Sequence, residues 1–131
     1  MNRVISPAGV AAPAGPYSQG MASSGPGTWL HIAGQIGVTA DGRLLEGFEA
    51  QARQAWTNLV AVLAEAGMDV SHLVKVTTYL VSAGDLPLLG PVRGAFLGEA
   101  RPASTLIVAQ ALARPEWLFE VEATAFLPAP R

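Results

Sequence analysis

Two carboxylates, Glu120 and Glu122, stand two residues apart in the stretch Glu116–Phe126, EWLFEVEATAF. Two carboxylates in an otherwise apolar row raise the question of acid–base chemistry. The stretch reads as a strand, and strand side chains alternate between faces. Leu118, Glu120, Glu122, Thr124 and Phe126 therefore share one face. Trp117, Phe119, Val121, Ala123 and Ala125 share the other, which is wholly apolar and belongs to a core. An unpaired charge inside a core is too costly. The acidic face is expected to open onto water, most simply in a crevice between subunits.

Other chemistry-bearing residues are few. Tyr17 follows Gly15-Pro16 and precedes Ser18-Gln19, a setting that suits an exposed position in a cleft. His31 lies on an apolar strand and reads as a core or interface residue; His72 opens a strand and reads as solvated. With only these two histidines and no cysteine, a zinc site would need carboxylate ligands, and no ligand spacing is present. Ser104 and Thr105 have no evident His-Asp relay, which argues against a nucleophilic role. Arg114 and Glu116 decorate a turn at Pro115.

The elements that must position these groups are legible in outline. Val4–Ser6 suggests a short first strand, and YSQGMAS and TWLHIAGQ suggest two more, separated by SGPG. Asp41-Gly42 signals a turn. Phe48, Ala52, Ala55, Trp56, Leu59, Val60, Leu63 and Ala66 recur at helical spacing, with Gly67 placed to end the helix. Trp56 belongs to that apolar stripe and reads as core. Residues 72–81 are β-branched and predict a strand. A second helix is expected from Asp85 onward, with Gly90 and Pro91 weakening its middle. Residues 104–112 and 116–126 give the last strands. The order β-β-β-α-β-α-β-β predicts an α+β fold, a mostly antiparallel sheet with two helices on one face. The uncovered face needs a partner.

The 131-residue length suits one domain, residues 1–131. Only 14% of residues are charged, against about 25% in typical soluble domains. So sparse a charge points to self-association. The net charge of −2 and the lack of any Lys/Arg run give nucleic-acid binding little support. Pro and Gly interrupt the N-terminal stretch, so no signal peptide is expected, and nothing approaches the roughly 20 apolar residues of a membrane span. A cytoplasmic location follows as the expectation.

Six motifs carry a resemblance in order and spacing: GPYSQG at 15–20, AGQIG at 33–37, QARQAWTNL at 51–59, VKVTTYLV at 74–81, RPASTL at 101–106 and FEVEATA at 119–125. Together they resemble the RidA/YjgF family, also known as L-PSP endoribonuclease or translation initiation inhibitor, across almost the whole chain. The resemblance implies a chorismate-mutase-like fold assembled as a homotrimer with three intersubunit clefts. It implies hydrolysis of reactive imines and enamines to a keto product and ammonia, with no cofactor and no metal. It places Glu120 as the group holding the attacking water and Tyr17 beside the substrate. Gly34, Ser104, Leu106 and Arg101 are expected to contribute to substrate binding, and Glu122 to be a structural partner.

The chain also departs from the family pattern. Deaminating members carry Arg two residues after the proline that matches Pro102; here that residue is Ser104. A guanidinium grips a carboxylate through two charge-assisted hydrogen bonds, which a serine cannot do. Arg101 is one candidate replacement, although its odd offset from Ser104 points it to the other face of an extended strand. Gly90 stands where deaminating members have Asn, and Ala33 where Ser is frequent. Three functions are open: a hydrolase of an imine or enamine with weak activity on ordinary 2-imino acids, a non-catalytic trimer binding a metabolite or a partner enzyme, and, fitting least, an endoribonuclease.

Overall fold

The alternation that splits the 116–126 stretch into two faces is realised in β6, Phe119–Pro128. The structure, a computed structural model, describes residues 1–130. The remaining elements are β1 (Asn2–Ile5), β2 (Gly20–Ser23), β3 (Gly27–Gln35), α1 (Phe48–Glu65), β4 (Leu73–Leu80), α2 (Leu86–Leu97) and β5 (Ala103–Val108). Their order is the predicted one. β3, β6, β4 and β5 form one sheet in that spatial order, while β1 and β2 pair separately. β6 is antiparallel to both β3 and β4. β4 and β5 are parallel, so the sheet is mixed. A parallel pairing needs a crossover, and α2 supplies it.

α1 and α2 cover one face of this sheet. Their apolar stripes meet the inner residues Val76, Leu80, Phe119 and Val121 in one buried cluster. Trp56 is fully buried there and stacks on Phe96 of α2, with ring centroids 6.0 Å apart. Phe48 meets Phe119 edge-on at 5.7 Å. Gly67 closes α1 with φ +73°, the left-handed conformation that favours glycine.

Several elements differ from expectation: β2 starts at Gly20 and not at Tyr17, and β6 runs over Phe119–Pro128 and not 116–126. β1 lies at Asn2–Ile5, ahead of the predicted Val4–Ser6, because it pairs in register with β2. β5 ends at Val108 and not at residue 112. α2 runs unbroken through Gly90 and Pro91. Pro87 lies in its first turn, where proline is tolerated. Pro91 is exposed, while Leu89, Val92 and Leu97 are buried in the core. Packing against α1 outweighs the weak local propensity. Among the described residues no helix is long and apolar enough to cross a membrane.

Candidate functional site

The face of the sheet opposite the helices carries the carboxylates. In register across β4 and β6, Tyr79 stands beside Glu120 and Thr77 beside Glu122. The Tyr79 hydroxyl donates a 2.7 Å hydrogen bond to Glu122 Oε1. That bond, made by the neutral phenol, raises the Tyr79 pKa. Glu120 is half-buried, and burial lifts its carboxyl above the ordinary carboxylate range, with the negative charge of Glu122 adding to the effect. The two acids thus differ. Glu122 is held by a donor, while Glu120 is set by its burial.

Gly34 makes room for Glu120. The β3–β6 register shifts between Ile32 and Gln35. At that irregularity the Gly34 backbone lies directly over the carboxylate. A Cβ on residue 34 would stand 1.9 Å from Glu120 Oε2. Two polar side chains of α1 hold the surroundings in place. Gln51 donates to the carbonyls of Leu45 and Glu116 at 3.1 Å each and accepts from the Leu118 N–H at 2.8 Å. Asn58 donates to the carbonyls of Ile36 and Val38. One amide thus anchors the segment entering β6, and the other anchors the chain just past Gly34. A cavity of about 400 Å³ beside Tyr79, Glu120 and Glu122 is walled by Ala109, Leu112 and their neighbours.

A second cavity, of about 270 Å³, lies at the edge strand β5. Tyr17, Ser104 and Leu106 line it together with Ala14, Gly15 and Arg93 of α2. Tyr17 is positioned by Ser18, a buried residue whose N–H donates to Pro102 O at 3.1 Å and whose hydroxyl donates to Arg101 O. The register separates this cavity from Glu120. Ser104 and Leu106 pair with Val76 and Thr78, buried residues of the helix-covered side. Thr105 and Ile107 pair with Thr77 and Tyr79 on the open side, where Lys75 Nζ donates to Thr105 Oγ1 at 2.5 Å. One chain therefore brings Tyr17, Ser104 and Leu106 together, and separately Gly34 and Glu120, on opposite faces of the sheet.

Arg101 joins neither group. It is exposed, and its guanidinium donates to the carbonyls of Gly98 and Ala100 at the end of α2. His31 is exposed on the open face near Lys75 and Glu122, and His72 accepts the Asp69 N–H in a capping box.

Comparison with known proteins decides the family. The family model described as Endoribonuclease L-PSP matches residues 9–127. A RutC family protein of Synechocystis is 34% identical over 129 residues, covering 96% of this chain and 97% of that protein. The chain belongs to the RidA/YjgF (L-PSP) family. A second relative, the 2-iminobutanoate/2-iminopropanoate deaminase of Capra hircus, is 32% identical over 127 residues, covering 95% of this chain and 90% of that protein. The crystal structure of YyfB, a conserved Rid-family protein of Yersinia pestis, superposes with a TM-score of 0.85 at 38% identity, covering 96% of this chain and 98% of that one. The predicted RidA-like α+β fold thus stands.

Within this RidA frame, two site residues escape a reading of motifs. Tyr79 could have been found, since Lys75, Thr77 and Tyr79 alternate with Val76, Thr78 and Leu80 along β4. Arg93 follows Leu89 by one helical turn, on the side of α2 that should be apolar. An arginine on an apolar stripe is the signal, and the Gly-Pro interruption beside it obscures the period.

Proposed function

We propose that this single RidA-like domain, residues 1–131, forms a cytoplasmic homotrimer whose intersubunit clefts hydrolyse a small reactive imine or enamine. The observation that carries this reading is the split site. Glu120 with Gly34 and Tyr17 with Ser104 and Leu106 lie on opposite faces of one sheet, so a second copy is needed to make them face one another. Glu120, raised in pKa by burial yet close to water, suits proton acceptance. Water held by its carboxylate adds to the imine carbon while Glu120 takes the water proton. The resulting carbinolamine receives that proton on nitrogen, Glu120 then takes the hydroxyl proton as the C–N bond breaks and passes it to the departing nitrogen, and a carbonyl product and ammonia leave. An enamine first gains a proton at carbon to enter the same route. The Tyr17 hydroxyl is a hydrogen-bonding group on the substrate side. The relative that is a 2-iminobutanoate/2-iminopropanoate deaminase supports this kind of chemistry.

Ser104 in place of arginine favours a second reading, a cleft that binds a metabolite without turning it over. An endoribonuclease fits least, because the chain has no cluster of Lys/Arg for the phosphates and no His pair for proton transfer. The test is ammonia release from freshly generated imines, both 2-imino acids and uncharged ones, with oligomeric state followed by sedimentation. Glu120→Gln should lower the rate by about 100-fold or more. A Glu120→Gln variant as fast as wild type would sink the hydrolase, and a monomer in solution would sink the shared cleft.

A further inference from the structure

We propose that Arg93 is the anion-gripping residue of this cleft, and that its ligand is a small molecule carrying one carboxylate. The inference rests on the cleft reading above and names the ligand class of that site. Arg93 reaches from α2 into the cavity lined by Tyr17, Ser104 and Leu106. The remaining lining, Ala14 and Gly15, offers no charge. At about 270 Å³ the space accommodates a short carboxylic acid.

One nitrogen of the guanidinium is unsatisfied as it stands. Its Nε is sealed from solvent and has no hydrogen-bond partner. The ion pairs among the described residues are Arg53–Glu49 and His72–Asp69, and neither involves Arg93. Other arginines contrast with it. Arg53 pairs on the surface of α1, and Arg101 is occupied by the carbonyls at the end of α2. Burial alone, with no carboxylate nearby to offset it, pulls the Arg93 pKa below its usual value. A half-buried cation without a counterion is a destabilising feature unless something supplies the charge. A carboxylate satisfies the guanidinium through two parallel hydrogen bonds. The Ser104 hydroxyl and the Tyr17 phenol in the same cavity can add neutral ones. The positive charge that Ser104 cannot provide from β5 is thus supplied from the facing helix, and Arg101 need not reach across.

Calorimetric titration of the assembled protein with 2-oxobutanoate, and with its uncharged amide, tests this without turnover. Wild type should bind the carboxylate at least about tenfold more tightly than the amide, as expected for a charge-assisted bidentate contact. Arg93→Met, which keeps the apolar stem, should lose that preference, with binding weakened on the order of 10–100-fold. Arg93→Lys should fall between, having the charge without the planar fork. Glu120→Gln should keep the preference even where ammonia release is lost, so failure of the hydrolase and failure of the anion site are distinguishable. Wild type that treats acid and amide alike would overturn the proposal, a result that needs no variant to fold. So would an Arg93→Met trimer that retains the preference, the outcome expected if Arg93 pairs with a neighbouring subunit instead.

Discussion

The two polar clusters of this chain are built by opposite devices. The carboxylate cluster sits on β6, a strand paired on both sides, with a glycine clearing the space over Glu120 and a tyrosine holding Glu122. The Tyr17–Arg93 cluster sits at the rim. β5 pairs with β4 alone within the sheet, Tyr17 follows a Gly-Pro turn, and Arg93 rides on a helix containing two prolines and two glycines. A group that moves protons needs a fixed position and a tuned pKa, which a central strand supplies. A group that selects a ligand can sit where loops and helix ends vary without disturbing the core.

The sharpest way to break the two apart is Gly34→Ala. Its methyl collides with the far end of the Glu120 side chain, which can swing aside. Stability should therefore change little, while ammonia release should fall by about 100-fold, since a displacement near 1 Å is enough for that. Melting temperature should stay near wild type, and the preference for 2-oxobutanoate over its amide should persist. Collapse of binding together with turnover would show that the clusters are not independent.

Ser18→Ala acts on the other cluster and should do less. It removes the hydroxyl that donates to Arg101 O and loosens the segment holding Tyr17 against β5. One lost buried hydrogen bond costs about 1 kcal/mol, to be read from urea unfolding. Carboxylate binding should weaken a few-fold, and the pH dependence set by Glu120 should not move. A shifted pH profile would contradict the separation.

The unequal legibility of the two clusters has a physical cause. Glu120 and Glu122 declare themselves because a strand's period of two survives any context, and Phe119, Val121 and Ala123 mark the buried side between them. Trp56 and Leu59 likewise fall on a clean helical stripe. Arg93 does not declare itself. Gly90, Pro91 and Gly94 blur the period of α2, and only burial of Leu89, Val92 and Leu97 against α1 makes the helix. Its cavity partners come from a Pro-rich loop and an edge strand, which no local pattern links to it. Arg101 showed the converse problem. It stands next to the matching motif in sequence, yet the end of α2 captures its guanidinium.

The smallest predicted effect is the most diagnostic of how Glu120 is tuned. Only the ionised form can take a proton from water, so the rate should rise as pH passes upward through the Glu120 pKa. Burial is the larger cause of that raised pKa and the charge of Glu122 the smaller. Glu122→Gln keeps an oxygen to accept the Tyr79 hydroxyl but removes the charge. The acid limb of kcat/KM should move to lower pH by less than about one unit. Stability must follow the same linkage. A carboxyl whose folded pKa lies above its unfolded value favours folding below the unfolded pKa, and that contribution is lost as pH rises through the folded value. Glu122→Gln narrows the gap, so melting temperature should fall less than in wild type as pH rises through the Glu120 range. If the acid limb stays where it is, burial alone tunes Glu120, and Glu122 serves only to hold Tyr79 against the sheet.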